Sequence, residues 1–159
     1  PDILETLPVT ENNVTHIPNG TNIDTYKDIQ TTNSEGLNII YVGTVSKNRG
    51  AKTMLRTAAY ISKQESDLCL TLIGEIKDRK WLDDIIKEYR IENHVSLTGP
   101  VSHQTALKHV SKADIGLCLF PRSVETEYIY PIKVFEYMAL EKYDWNYINK
   151  NFRNALQNQ

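Results

Sequence analysis

Short apolar runs alternate with amphipathic segments along most of this chain, and this alternation constrains the fold more than any other feature of the sequence. Most of the runs are too uniformly apolar for strands with one face in water, so they indicate strands that are covered on both faces. The sequence therefore predicts an α/β fold built on a parallel sheet. The predicted strands are Leu37 to Val42, Leu68 to Ile73, His94 to Leu97 and Ile115 to Phe120.

The segments between these runs carry apolar residues at helical spacing, which predicts crossover helices between successive strands. Asp78 and Ser102 are placed to begin the second and third helices, and Pro131 suits the first turn of a fourth. Right-handed crossovers bring the helix N-termini to the carboxyl ends of the strands, the edge where such sheets bind ligands. The positions predicted to be buried on the first three helices are Ala51, Met54, Leu55, Ala58, Ala59, Trp81, Leu82, Ile85, Ile86, Tyr89, Ala106, Leu107 and Val110.

The length of 159 residues is enough for one substantial core, so a single domain is predicted. A lead-in segment, residues 1–35, precedes βα repeats over residues 36–140, and residues 141–159 are predicted to form a C-terminal helix capped by Asp144. The net charge of −2, with both signs interspersed, disfavours nucleic acid as the main partner. Because the sequence has neither a membrane-length apolar run nor a secretory pattern, we expect a cytoplasmic protein.

The two cysteines and four histidines lie at no spacing typical of a zinc site, so no metal is expected. Cys69 and Cys118 belong to runs that would flank the first strand at a separation of roughly 9 to 10 Å, too far for a disulfide. We therefore expect reduced thiols that are buried in the core. His103, near the start of the third helix, is expected to be solvated.

Small or turn-forming residues stand at the carboxyl ends of the first three predicted strands. Such residues let a ligand approach the backbone, although a structural turn would also use glycine. The segment YVGTVSKNRG, residues 41–50, fits neither the dinucleotide-binding pattern nor the P-loop. Two interpretations stay open for it: an anion held by Arg49 and the following helix N-terminus, or a solvated loop with surface cations.

Lys133 and Glu136 are three residues apart on the fourth predicted helix and therefore share one of its faces. They form either a salt-bridged surface pair or part of a ligand site, because the first turn of this helix points at the crevice beside the sheet. In the second case Lys133 neutralises a phosphate, and the Glu136 carboxylate accepts hydrogen bonds from both hydroxyls of a ribose.

Six motifs occur in a recognisable order: IPNG (17–20), YVGTVSKNRG (41–50), LIGE (72–75), VSLTGPVS (95–102), ADIGLCLFP (113–121) and PIKVFEYMAL (131–140). This order resembles the family 4, or group 1, retaining glycosyltransferases. The resemblance implies the C-terminal, Rossmann-like, donor-binding lobe of a two-lobed GT-B fold, with the acceptor lobe normally preceding it. It also implies a nucleoside diphosphate sugar as donor substrate and no metal or other cofactor.

The resemblance assigns roles to particular positions. Gly43 approaches the donor sugar or diphosphate, and Arg49 binds the diphosphate. Together with Lys133, whose role was inferred above from its helix position, Arg49 is expected to stabilise the leaving group as a catalytic residue. Glu136 holds the ribose hydroxyls. The full set of implied donor-binding residues is Gly43, Thr44, Gly74, Thr98, Gly99, Pro100, Val101, Glu127 and Glu136, of which residues 98–101 line the base.

The chain departs from the family pattern in three places. Many members have Arg where this chain has Thr44, and a Glu where it has Tyr128, so Glu127 either replaces that carboxylate or the site dispenses with it. After Leu140 the family continues with G-K-P and a further strand, which implies an internal deletion here. We expect the helix from Ile132 either to continue into the last helix or to cover the sheet edge exposed by that deletion.

The activity implied is transfer of a sugar from a nucleoside diphosphate sugar to a hydroxyl acceptor with retention of configuration. Without an acceptor lobe the chain alone is expected to be inactive, and a non-catalytic or decayed nucleotide-binding domain is the alternative. Peripheral membrane association of the parent protein is left open. A phosphoacceptor signalling domain is disfavoured, because it would need acidic residues where Gly43 and Thr44 stand.

Overall fold

The computed structural model describes residues 20–32, 35–119 and 131–141. Their regular elements are four strands and four α-helices, joined by short 3-10 helices at Ile23–Tyr26, Lys47–Arg49 and Glu92–His94. The strands are β1 Asn38–Val42, β2 Cys69–Ile73, β3 Val95–Gly99 and β4 Ile115–Leu117. The helices are α1 Ala51–Ile61, α2 Arg79–Tyr89, α3 His103–Val110 and α4 Ile132–Ala139.

The four strands form one parallel sheet in the order β3-β2-β1-β4. The chain moves outward from β1 to β3 and then returns to place β4 on the other side of β1. The junction between β1 and β4 is therefore the topological switch point, where open α/β sheets bind their ligands. This sheet confirms the predicted fold class.

Two apolar clusters cover the two faces of the sheet. Residues of β1 alternate between them, with Ile39 and Tyr41 facing α1 and α2 while Ile40 belongs to the cluster around α3 and α4. The predicted helix faces are confirmed, except that Ala59, Trp81 and Tyr89 are half-buried.

The predicted starts of the helices are confirmed by their capping contacts. The Asp78 carboxylate accepts a hydrogen bond from Trp81 N at 3.0 Å, and Ser102 Oγ accepts one from Thr105 N at 3.2 Å. Pro131 stands immediately before the first residue of α4. In the lead-in segment, Tyr26 is buried in the cluster around α3, so part of that segment packs on the domain.

The edge strand β3 and the two cysteines differ from expectation. Ser96 and Thr98 are exposed, whereas Val95 and Leu97 pack against the core, so successive side chains of β3 alternate between solvent and core among the described residues. Cys69 lies in β2 and Cys118 directly follows β4, and these two strands flank β1 as predicted. Both cysteines are free thiols, but they are half-buried rather than buried.

Helix α4 ends at Ala139, and Glu141 adopts the left-handed conformation with φ of 56°. Of the two alternatives for this helix, continuation past residue 141 is therefore excluded, and coverage of the exposed sheet edge stays a prediction. The ring of Tyr137 packs on Gly116, so α4 covers one face of β4. The predicted C-terminal helix and its cap, as well as Glu127 and Tyr128, lie outside the described residues.

Candidate functional site

Three glycines with positive φ stand where β1, β2 and β3 end: Gly43 at 148°, Gly74 at 136° and Gly99 at 74°. Gly43 N donates a hydrogen bond to Ile73 O at 2.8 Å, and Gly74 N donates one to Gly99 O at 3.0 Å. A Cβ on Gly74 would lie 2.2 Å from Gly43 O, so the backbones themselves are in contact at this edge. Glycine is needed for that approach, and it leaves the carboxyl edge of the sheet without side chains at these positions.

The chain continues beyond Gly43 and Gly74 with a short parallel bridge between Val45 and Ile76. This bridge holds Thr44 close to the strand ends, where its carbonyl oxygen accepts a hydrogen bond from the Tyr41 hydroxyl at 3.2 Å. The loop after β1 is thereby tied both to β2 and to the core, which gives the edge a defined backbone shape.

Lys133 reaches from the first turn of α4 to the end of β1. Its Nζ donates a hydrogen bond to Val42 O at 2.8 Å and lies 4.7 Å from the centroid of the Tyr41 ring. A Cβ on Gly43 would be 2.8 Å from the same nitrogen. Burial lowers the pKa of Lys133 from its ordinary value of 10.5, and the positive charge of Arg49 acts in the same direction. The ammonium group of Lys133 is thus held at the switch point, in contact with the backbone of Val42 and Gly43.

Tyr137 lies one turn further along α4 and joins β1 to β4. Its phenolic oxygen accepts a hydrogen bond from Val42 N at 3.3 Å and donates one to Leu117 O at 3.4 Å. Burial raises the pKa of this phenol, which therefore stays protonated and able to donate. Tyr137 was not among the residues predicted from the sequence, although Gly116 in the middle of an apolar run was a signal that another element packs closely there.

Glu136 extends from α4 to the start of α3, where its Oε1 lies 2.7 Å from His103 Nε2. The Glu136 side chain is 18% exposed, whereas that of His103 is 62% exposed. The prediction that His103 is solvated is confirmed by this exposure, and its imidazole in addition contacts the carboxylate predicted to hold a ribose.

The predicted base-binding loop, residues 98–101, leads directly into this contact. Thr98 and Pro100 are exposed, and Gly99 has open space around the position of a Cβ. Val101 is half-buried and packs on the cluster that contains Tyr137. The loop therefore exposes Thr98 and Pro100 to solvent, whereas Val101 fixes its end against the core near α4.

The basic residues after β1 take two different positions. Lys47 Nζ lies 3.4 Å from an Asp78 carboxylate oxygen and 5.0 Å from the centroid of the Trp81 ring, so it lies at the start of α2 rather than beside Gly43. Arg49 ends the 3-10 helix before α1, and its charge acts on both Tyr41 and Lys133. The positive charge of Arg49 therefore acts on Lys133 at the carboxyl end of β1.

The sequence of residues 22–143 matches the family described as Glycosyl transferases group 1, which covers most of the chain. The chain belongs to this family. The resemblance inferred from the ordered motifs is confirmed at this level.

Solved structures of glycosyltransferases have the same fold as this group 1 domain. The C-terminal domain of a group 1 glycosyl transferase, LpcC of Francisella tularensis, has a TM-score of 0.53 at 19% identity, covering 65% of this chain and 53% of that one. WaaG, a glycosyltransferase of lipopolysaccharide biosynthesis, has a TM-score of 0.53 at 14% identity, covering 84% and 40%. A mutant of S. aureus TarM has a TM-score of 0.50 at 18% identity, covering 72% and 22%.

The group 1 domain therefore spans about half or less of the length of these solved relatives. No functionally curated protein matches its sequence. The similar structures are GT-B glycosyltransferase domains, which confirms the Rossmann-like GT-B architecture predicted from the motifs.

Within the glycosyltransferase domain, the structure brings together most of the predicted donor-binding residues along one edge. Gly43, Thr44, Gly74 and Lys133 lie at the ends of β1 and β2, while Glu136 contacts His103, which follows the loop at residues 98–101 by two positions. Among the described residues there is no group of three or more metal-ligating side chains and no helix long and apolar enough to cross a membrane.

Proposed function

We propose that this domain binds the nucleoside diphosphate sugar of a retaining glycosyltransferase, which transfers the sugar to a hydroxyl acceptor. The observation that carries the proposal is the position of Lys133, whose Nζ lies 2.8 Å from Val42 O at the switch point, directly beside the backbone of Gly43. A cation against bare backbone at a strand end is suited to a diphosphate.

The electrostatics of Lys133 support a phosphate ligand. Its lowered pKa reflects a charge that has lost water and gained a like-charged neighbour, Arg49, without full compensation. A diphosphate placed between these two groups would supply the missing negative charge. When the bond to the sugar breaks, negative charge grows on the diphosphate, so the same two cations would stabilise the leaving group.

Glu136 and the loop at residues 98–101 would bind the nucleoside. Lys133 and Glu136 lie on the same face of α4, so a ligand with its diphosphate at Lys133 would extend toward the Glu136 carboxylate. An ionised carboxylate accepts hydrogen bonds from a ribose diol, and the open side of Gly99 leaves room for a base. The structurally similar TarM was crystallised with UDP, which is consistent with a nucleoside diphosphate here.

The remaining parts of the proposal follow from the family resemblance. The acceptor hydroxyl would be bound by an acceptor lobe outside this sequence, so the domain alone would bind the donor without transferring sugar. The scheme uses no metal, since cationic side chains and helix N-termini offset the diphosphate charge. We further propose a cytoplasmic location, where nucleotide sugars would serve as donors.

Calorimetric titration of the chain with UDP, GDP and ADP tests this function. One nucleotide is expected to bind, and Lys133→Met is expected to weaken it by about tenfold or more, since charge-assisted contacts are lost. Lys52→Met, at an exposed position of α1, is the matched control and should leave the affinity unchanged. Equal effects of the two substitutions, or no binding by the folded chain, would contradict the proposal.

A further inference from the structure

The contact between His103 and Glu136 joins two helices at the edge of the sheet, and its length is that of a strong hydrogen bond. Nε2 lies 2.7 Å from Oε1, in the range of charge-assisted pairs. An ionised carboxylate can only accept hydrogen bonds, so Nε2 must carry the hydrogen in this contact. The donor comes from the first residue of α3, which is separated from the loop at residues 98–101 by Ser102.

We propose that His103 is a positioning residue for ribose recognition, which holds the Glu136 carboxylate in the orientation that accepts the ribose hydroxyls. This inference rests on the proposed donor-binding function. His103 itself need not touch the ribose, because its effect passes through Glu136.

The carboxylate keeps enough acceptor capacity for this role. Its two oxygens offer about four lone-pair sites, and the imidazole uses one of them on Oε1. The other oxygen and the second site on Oε1 remain for the two hydroxyls of a ribose. A glutamate side chain has several rotamers, and fixing one before the ligand arrives lowers the entropy lost on binding.

The surroundings favour a function beyond packing. Glu136 is largely buried whereas the imidazole is 62% exposed, so removing the imidazole takes away little buried surface. The cap of α3 is provided by Ser102, whose hydroxyl accepts from Thr105 N, and does not depend on His103. A His103 variant is therefore expected to fold, and a loss of affinity would report on Glu136.

The test compares ribonucleotides with their 2′-deoxy counterparts. The full chain is titrated with UDP, GDP and ADP, and with the 2′-deoxy form of the nucleotide that binds. His103→Ala is expected to weaken ribonucleotide binding by about five- to tenfold and 2′-deoxynucleotide binding by only about two- to threefold, because the deoxyribose keeps one of the two hydroxyls that contact Glu136. His103→Gln places an amide nitrogen near the position of Nε2 and should restore most of the affinity.

Three further variants complete the design. Glu136→Gln should remove the preference for the ribonucleotide, and adding His103→Ala to it should have little further effect. Gln104→Ala, at the neighbouring exposed position of α3, is the matched control and should bind like the unaltered chain.

The outcomes separate this inference from the function on which it rests. If Glu136→Gln weakens binding but His103→Ala does not, or if His103→Ala weakens ribo and 2′-deoxy forms equally, the positioning role is overturned and donor binding stands. If no nucleotide binds to the folded chain, both are overturned.

Discussion

The ring of Tyr137 lies so close to Gly116 that a Cβ on residue 116 would be 2.5 Å from a ring carbon. Gly116 stands in the middle of β4, opposite Ile40 of β1, and the missing side chain lets α4 approach the sheet. That approach places Lys133 against the end of β1 and Glu136 beside α3. The geometry of the candidate site therefore depends on a helix–sheet contact outside it.

Gly116→Ala is expected to lower the free energy of unfolding by about 1 to 3 kcal/mol, because the added methyl overlaps the Tyr137 ring. Urea denaturation measures the change. Gly20→Ala, where nothing lies within 4 Å of the added Cβ, is the control and should be nearly neutral. Combining Gly116→Ala with Tyr137→Leu should destabilise less than the sum of the single changes, and strict additivity would argue against this contact.

The glycines at the strand ends should differ in their tolerance of alanine. Gly74→Ala is expected to destabilise by at least about 3 kcal/mol, since it combines a strained φ with a Cβ 2.2 Å from the carbonyl oxygen of Gly43. Gly99→Ala meets no neighbour within 4 Å and should lose only about 1 to 2 kcal/mol through its left-handed φ. Thermal unfolding of the two variants distinguishes them, and equal losses would contradict the close approach of the backbones.

Lys133 should give the stability a characteristic dependence on pH. Burial lowers its pKa below 10.5, so between the folded and the unfolded pKa the unfolded chain binds more protons at this group. Its contribution to the free energy of unfolding is therefore greatest above the unfolded pKa and is lost as the pH falls through the folded pKa. Buried tyrosines act in the opposite direction, because raised pKa values make Tyr41 and Tyr137 lose their contribution as the pH rises above 10.0.

The contribution of Lys133 is isolated by comparison with a variant. Urea denaturation of the unaltered chain and of Lys133→Met over the alkaline range should give curves whose difference changes with pH in the window below 10.5. Lys52→Met, at an exposed position, should run parallel to the unaltered chain. Parallel curves for Lys133→Met as well would show that this amine is not desolvated in the folded state.

Much of the architecture follows from local patterns. Hydrophobic periodicity is sufficient to predict the order of strands and helices along the chain, and capping residues such as Asp78 are sufficient to predict where helices begin. Both features depend on neighbours within a few positions. The exposure of Ser96 and Thr98 follows the alternation of apolar and polar residues at positions 95–98, which is a local signal of a strand with one face in solvent. The prediction that the strands are buried on both faces overlooked this signal, because the other runs are more uniformly apolar.

The site was predicted unevenly for the same reason. Lys133 and Glu136 could be placed at the crevice because a helix N-terminus after a parallel strand points there. The contact between His103 and Glu136 joins residues 33 positions apart, and it depends on the packing of α3 beside α4. Neither helix alone signals it, so the contact was not predicted from the sequence.

The position of a bound nucleotide decides whether Lys133 and Glu136 form a donor site. We would determine a crystal structure of the chain with the nucleoside diphosphate that binds in calorimetry. We expect diphosphate oxygens within hydrogen-bonding distance of Lys133 Nζ, beside Gly43, and the ribose hydroxyls on the Glu136 carboxylate. A nucleotide bound elsewhere, for example in the cleft of about 610 Å³ between residues 25–32 and α3, would contradict this expectation.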